Sequence, residues 1–347
     1  MSDELTAQGK TFSYGGQAVI EGVLMRGANT AAVACRDANG QIVVHETELN
    51  KRIYQGKMAK TPFIRGLVLL WDALGLGTRA LMWSADVAVA SEDPEGEAPS
   101  FDGPLGWGTL AVSFTLAIGL FFLLPLFVSR GLNAGVGALF GITEGIEVGF
   151  LAAWGQSFIV NLLEGVFRLV LVIGYIWAIG HVPDIRRLFG YHGAEHKTIN
   201  AYEAGADLLP ETVQTYPIEH PRCGTAFLLN VVLVSVIVFA LIGNPGGTLG
   251  WVILIGSRIV FIPVVAGIAY EWLRWTAKNI EKPWVAVLVK PNLALQKLTT
   301  NEPDLGMIET AIVAFKHVLA SEKIIPQEEA RIPEARPELG HMPGAAD

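Results

Sequence analysis

Two histidines stand four residues apart in Tyr191-His192-Gly193-Ala194-Glu195-His196-Lys197, with a glutamate directly before the second. On a helix that spacing puts both imidazoles on one face. Two imidazoles so placed suit a single metal ion. Glu195 then falls where the inverted zincin pattern His-x-x-Glu-His carries its general base. Farther along, His220-Pro221-Arg222-Cys223 offers another imidazole and a thiol. Thiolate with imidazole favours zinc among the common divalent metals. The candidate ligands are therefore His192, His196, His220 and Cys223. The chemistry would be hydrolysis: the metal lowers the pKa of a bound water and Glu195 accepts its proton. Lys197 or Arg222 would stabilise developing negative charge. Glu203 shares the histidine face but lies about 10 Å farther along the helix, as an outer partner or a ligand of another ion. Glu21 stands among Gly15, Gly16, Gly22 and Gly27 and reads either as a carboxylate brought to this site or as part of a bulged strand. On the short motif alone, a set of interfacial hydrogen-bonding residues fits as well as a metal site.

A second constellation is Glu164, Arg168 and Arg258, set within apolar segments. Glu164 and Arg168 have the i,i+4 spacing of a helical ion pair. An arginine inside a bilayer costs about 2.5–3.5 kcal/mol even on the lenient insertion scale. The three should therefore face one another, as a structural ion-pair cluster or a pocket for an anion.

The elements that must position these groups follow from composition. Of 347 residues, 51% are hydrophobic and only 17% charged, with a mean hydropathy of +0.42. A soluble domain carries about 25% charged residues. The deficit comes from four apolar stretches, 107–128, 158–180, 225–243 and 248–270, each near the roughly 20 residues a bilayer core requires. The net charge of −8 is concentrated in two acidic segments, and no basic aromatic patch suggests a nucleic-acid partner. Two cysteines are no disulfide framework. The connections after the first and third stretches are nearly free of Lys and Arg, whereas 181–224 and both tails are rich in them. The positive-inside rule then places both termini and the motif loop 181–224 in the cytoplasm.

The expected fold class is an α-helical integral membrane protein of about four transmembrane helices. Residues 1–60 form a small cytoplasmic β-rich unit, with one strand over 17–26 and a hairpin turning at Asp37-Ala-Asn39-Gly40. Residues 61–106 hold an amphipathic segment and an acidic linker. Arg65, Asp72, Arg79 and Asp86 recur every seven residues, and Gly75-Leu-Gly77 divides the run. An interfacial helix or a re-entrant helical hairpin fits this pattern. Residues 107–270 form the membrane domain, with a helix over 192–203 stopped at Gly205. Residues 271–324 form a cytoplasmic helical region whose last helix opens at Glu302-Pro303-Asp304, and 325–347 a disordered tail.

The chain also resembles the YqhQ-like family of bacterial membrane proteins (domain of unknown function 1385). The resemblance rests on Gly15-Gly-Gln-Ala-Val-Ile-Glu-Gly-Val-Leu-Met-Arg-Gly27, Tyr191-His-Gly-Ala-Glu-His-Lys197, His220-Pro-Arg-Cys-Gly-Thr225, and Gln296-Lys-Leu-Thr-Thr-Asn-Glu-Pro-Asp304 running into Met307-Ile-Glu309. It implies a multi-spanning, predicted metal-dependent enzyme of the bacterial inner membrane. The matched site positions are His192, Glu195, His196, His220 and Cys223, with Glu21, Arg26, Glu203 and Arg222 as neighbours. The expected partners are the lipid bilayer and a membrane protein or second copy of the chain. The rival expectations are a non-catalytic membrane scaffold with a structural metal or a partner-binding loop, and an ion or anion transporter using Arg168 and Arg258.

Overall fold

The computed structural model describes residues 12, 14–54, 56–92, 103–128, 131, 150–241 and 247–333. Four strands come first: β1 (Gly15–Val19), β2 (Gly22–Arg26), β3 (Thr30–Arg36) and β4 (Ile42–Glu48). They pair in chain order as an antiparallel meander. The single strand expected over 17–26 is two, because the chain reverses at Ile20-Glu21. Glu21 takes φ +51 there. A left-handed residue other than glycine costs roughly 1–2 kcal/mol. The next residue, Gly22, pairs on one side with Val19 and on the other with Cys35, where a Cβ would press on β3 backbone and the Cys35 sulfur. The hairpin expected at Asp37–Gly40 is present, with Gly40 at φ +79 and Asp37 Oδ1 accepting from Gln41 N–H at 2.7 Å.

The helices follow as α1 (Ile64–Glu92), α2 (Pro104–Ile118), α3 (Phe150–Ile179), α4 (Pro183–Glu203), α5 (Pro210–Gln214), α6 (Gly224–Ala240), α7 (Gly247–Val260), α8 (Ile262–Lys278), α9 (Pro283–Thr299) and α10 (Leu305–Ser321). Both sheet faces are covered. Val23, Met25, Ala32 and Ala34 share one core with Tyr191 and Ile199 of α4 and Ile308, Ile312 and Phe315 of α10. On the other face Val19, Leu24, Val33 and Cys35 pack with Ala80, Leu76 and Trp83 of α1. This alternation is the period of two that strand geometry requires. A buried ion pair ties the layers: Arg36 of β3 meets Glu309 of α10 at 2.8 Å and bonds the Gly306 and Gly40 carbonyls.

Three further sequence expectations are resolved or changed. Of the two readings open for 62–90, one helix or a helical hairpin, α1 is one helix, running unbroken through Gly75 and Gly77. Glycine lowers helix propensity by about 1 kcal/mol, and packing outweighs that. Gly77 instead lets the helix lie against the Gln17 amide. Near its start Arg65 Nε donates to Glu271 of α8 at 2.6 Å, so α1 straps the sheet to the helical part. The span expected over 248–270 is interrupted at Phe261 between α7 and α8. Pro263 has no N–H for the helical ladder and its ring crowds the carbonyl four residues back. The tail is ordered at first: residues 327–330 form a 3-10 turn that buries Ala330. The acidic linker from 93 to 102 and the tail from 334 lie outside the described residues.

The remaining helices form a bundle. Val172 and Ile176 of α3, Leu229 and Val232 of α6 and Leu295 of α9 make its apolar centre. Gly165 lets α3 approach Val236 of α6. Two helical stretches among the described residues are long and apolar enough to cross a membrane, Gly106–Val128 and Leu162–Ile179, while Gly224–Phe239 is shorter.

Candidate metal centre

Helix α4 carries the site and is buried from Gly190 to Thr198 except at His192. It begins nine residues before the expected start, at Pro183, a residue suited to a first helical turn. It stops as expected, with Gly205 at φ +76. Three faces of this helix do different things. Gly190 and Gly193 admit Met307, Ile218 and the Asn301 carbonyl, contacts that a Cβ would block. Arg187, Tyr191 and Glu195 face the β1 end of the sheet. His192 and His196 face the start of α6 and the end of α9.

On that last face the ligand atoms of His192, His196 and Cys223 lie within 4.8 Å of one another. His192 Nδ1 donates to the Thr299 carbonyl at 2.8 Å, which leaves Nε2 as the bare nitrogen, 3.2 Å from Cys223 Sγ. His196 Nδ1 donates to the Ile218 carbonyl at 2.6 Å. Its Nε2 is buried with no hydrogen-bond partner. Such outer hydrogen bonds fix the tautomer and present the other ring nitrogen to a metal. Cys223 is the N-cap residue of α6, and its sulfur accepts from Thr225 N–H at 3.4 Å. The helix N-terminus places positive partial charge beside that sulfur. Two imidazole nitrogens and a thiol, with one buried nitrogen lacking any partner, fit a zinc-type ion.

Glu195 is buried, with one carboxylate oxygen 3.9 Å from His192 Nε2. Burial raises its pKa above the ordinary carboxylate range, opposed by His192 and by the N–H of Gly16 in β1, which donates to it. The exposed backbone of Gly16 lies close over this carboxylate, and a Cβ there would stand 3.0 Å from Glu195 Cγ.

The other expected site residues are placed differently. His220 is outside the group of three, its ring centroid 5.6 Å from that of His196 and its Nε2 3.9 Å from Glu203. Burial, with His196 and Arg222 nearby, lowers the His220 pKa against the opposing pull of Glu203. Arg222 pairs with Glu203. Burial of Glu203 would raise its pKa, but His220 and Arg222 outweigh this and hold it below the ordinary value. Lys197 points away from the histidines, donating to the Gln214 and Tyr216 carbonyls at 2.8 and 2.9 Å and pairing with Glu302 at 2.6 Å. Glu21 is turned to α4, where Arg187 and Tyr191 hold its carboxylate, the latter at 3.1 Å. Those bonds help offset its left-handed backbone. In the bundle, Glu164 joins Arg168 at 2.7 Å and Arg258 at 2.9 Å, so the three do meet.

Sequence reasoning missed the clamp on the 218–223 turn. Gln296 of α9 accepts from His220 N–H at 3.0 Å and donates to its carbonyl at 2.7 Å. Its signal was the polar residues Gln296, Lys297, Thr299 and Thr300 closing an apolar helix. The two carbonyls that orient the histidines left no side-chain trace at all.

Fold and site together define a mostly helical protein with a small antiparallel sheet, two helices able to span a membrane, and a His/Cys cluster that could hold a metal. The chain belongs to the YqhQ-like family: the family profile described as "Protein of unknown function (DUF1385)" matches residues 61–321. It is 34% identical over 325 residues to "Uncharacterized protein YqhQ" of Bacillus subtilis (strain 168), covering 91% of this chain and 95% of that protein. No solved structure matches it.

Proposed function

We propose that the protein is a zinc-dependent hydrolase of the bacterial inner membrane, with its site on the cytoplasmic face. The observation that carries the metal is the buried, partnerless Nε2 of His196 beside His192 Nε2 and Cys223 Sγ. These three residues would hold the ion. When bound, zinc supplies Lewis acidity and an activated water. Glu195 is the residue to accept that water's proton, because burial makes its carboxylate more basic and Gly16 N–H holds it beside His192.

The membrane reading draws on the outward-facing residues. Helices α3, α6, α7 and α8 leave rows of large apolar side chains uncovered, such as Val170, Ile237, Ile259 and Val264. Patches this extensive mark a lipid-facing or partner-facing surface. Exposed Trp272 stacks on Trp275, which meets exposed Trp284 at a tilt, in the stretch that carries Lys278 and Lys282, the residue types of a membrane boundary. The four-span arrangement then takes α2, α3, α6 and the broken α7–α8 as its spans, with both termini cytoplasmic.

A non-catalytic scaffold with a structural metal is the second reading. It is favoured by Lys197 and Arg222, whose charges go to Glu302 and Glu203 rather than to a substrate space. Transport along Arg168 and Arg258 is disfavoured, since Glu164 bridges both inside the bundle.

Elemental analysis of purified protein tests the metal. About one zinc per chain is expected, falling several-fold in His192→Ala and His196→Ala. Absence of stoichiometric metal from the unmutated protein rules the site out. Retained metal in Glu195→Gln with hydrolysis lost favours the enzyme over the scaffold.

A further inference from the structure

Strand β1 stands at one edge of the sheet, and its free side opens beside the metal group. The alternation of its hydrogen bonds decides which residues face that side. Arg36 N–H donates to the Glu21 carbonyl at 2.8 Å, so Gly22 turns its own N–H and C=O toward β1. Gly22 pairs with Val19, and the register continues through Gln17 with Leu24 and Gly15 with Arg26. An antiparallel ladder bonds every second residue of a strand to a given neighbour. Gly16, Ala18 and Ile20 therefore direct their backbone groups away from β2. Two of those N–H groups have partners: Gly16 donates to Glu195 of α4, and Ile20 to Ser84 Oγ of α1 at 3.2 Å. The Gly16 carbonyl and the N–H and carbonyl of Ala18 lie between them and meet no partner among the described residues.

An open edge is ordinarily protected by charge or proline. Strand β4, at the opposite edge, carries Glu46 and Glu48, whereas β1 reads Gly-Gly-Gln-Ala-Val and carries neither kind of guard. Its glycines answer no demand of the backbone, since neither has a positive φ. A Cβ on Gly15 would meet open space. Glycine weakens a strand, and inside one it marks a place where another backbone comes close. Gly16 is exposed, and the carboxylate it bonds has an oxygen 3.9 Å from His192 Nε2. The open ladder thus ends on the group that would serve as the base of the hydrolysis.

We propose that β1 binds an extended polypeptide as an added strand, and that this polypeptide is the substrate of the metal site. Hydrogen-bond complementarity specifies the occupant. A donor flanked by two acceptors at strand spacing is the complement of another main chain. The stretch from Gly16 to Ile20 is roughly 13 Å long, so the added strand is short. Beyond Gly16 the peptide leaves the ladder, and its next carbonyl passes Glu195 and His192. There the oxygen of a water bonds to the carbonyl carbon and the C–N bond breaks. Glu195 carries one proton of that water to the departing amine, leaving a carboxyl and an amine. The substrate assignment rests on the hydrolase reading above; the docking of a peptide on β1 does not.

The full-length protein in detergent, with zinc supplied, tests this with a mixed-sequence pool of decapeptides and the same pool N-methylated at alternate residues. Binding of fluorophore-labelled pools is read by anisotropy on Glu195→Gln, whose amide oxygen still accepts from Gly16 N–H. Cleavage of quenched pools is read on the unmutated protein. Ala18→Pro deletes the outward N–H at an edge position that tolerates proline, and Ala18→Gly keeps both backbone groups. The unmethylated pool is expected to bind, about tenfold more weakly after N-methylation or in Ala18→Pro and within about twofold of the parent in Ala18→Gly. Absence of binding, or binding indifferent to N-methylation, overturns the docking site, and neither result depends on a β1 variant folding. Binding that needs the free amides, without cleavage by the unmutated zinc-loaded protein, keeps the docking site and overturns the substrate assignment. Cleavage that neither N-methylation nor Ala18→Pro slows keeps the hydrolase and overturns the role of β1.

Discussion

Glu195 shows how one side chain couples the site to the stability of the fold. Burial raises its pKa in the folded protein, with His192 and the Gly16 N–H pulling the other way. The folded state holds that proton more tightly than the unfolded chain does. The stability so gained is complete below the ordinary carboxylate range and is lost as pH rises through the folded-state value. Glu195→Gln cannot ionise and keeps its stability across that interval. In metal-free protein the variant's melting temperature is therefore expected to match the wild type at about pH 4 and to exceed it at about pH 8. Thermal unfolding in detergent at both pH values measures the gap, and a gap independent of pH would show that this carboxyl does not titrate with folding. At this scale the sequence was readable where side chains carry the chemistry. His192, Glu195 and His196 stand out by spacing alone, and Cys223 by type. Gly16, Ile218 and Thr299 act through backbone atoms, which every residue possesses and no pattern distinguishes.

Between elements, the buried Arg36–Glu309 pair links β3 to α10 over 273 positions of sequence. Removing one partner leaves the other charge buried without its opposite charge, at about 3–5 kcal/mol. Arg36→Ala and Glu309→Ala are each expected to lose that much stability. Replacing both together with Met and Leu should recover most of it, because an apolar pair of similar volume needs no desolvation of charge. Chemical denaturation of the three variants decides this; a double variant as unstable as either single one would refute the account. Helix α10 was legible from its acidic start and apolar face. The sequence leaves the α1 segment open between one helix and a hairpin, because glycine spacing reports local propensity. What decides it is packing on the distant sheet: Leu76, Ala80 and Trp83 join its core, and Gly77 leaves room for the Gln17 amide.

For the whole molecule, the proposed topology places the sheet and the metal group on one side of the membrane. A cysteine introduced at exposed Asn39, in the β3–β4 turn, reads that side. Membrane-impermeant maleimide is expected to leave Asn39→Cys unlabelled in intact spheroplasts and to label it after lysis. Labelling before lysis would invert the topology. The native cysteines Cys35 and Cys223 are both buried and supply little background.

Much of this architecture is written locally. Apolar stretches of bilayer length, helix start and stop residues, the Asp37–Gly40 turn and the four-residue histidine spacing all depend on neighbours along the chain, so they are visible in the sequence. The site itself is not local. It forms where α4, the N-terminus of α6, the C-terminus of α9 and the edge of β1 converge. Only that convergence decided that Cys223 joins the two histidines while His220 turns toward Glu203, and that Glu21 is held by Arg187 instead of a metal. Spacing along a helix fixes which groups share a face; which partner meets that face is set by packing between segments far apart in the chain.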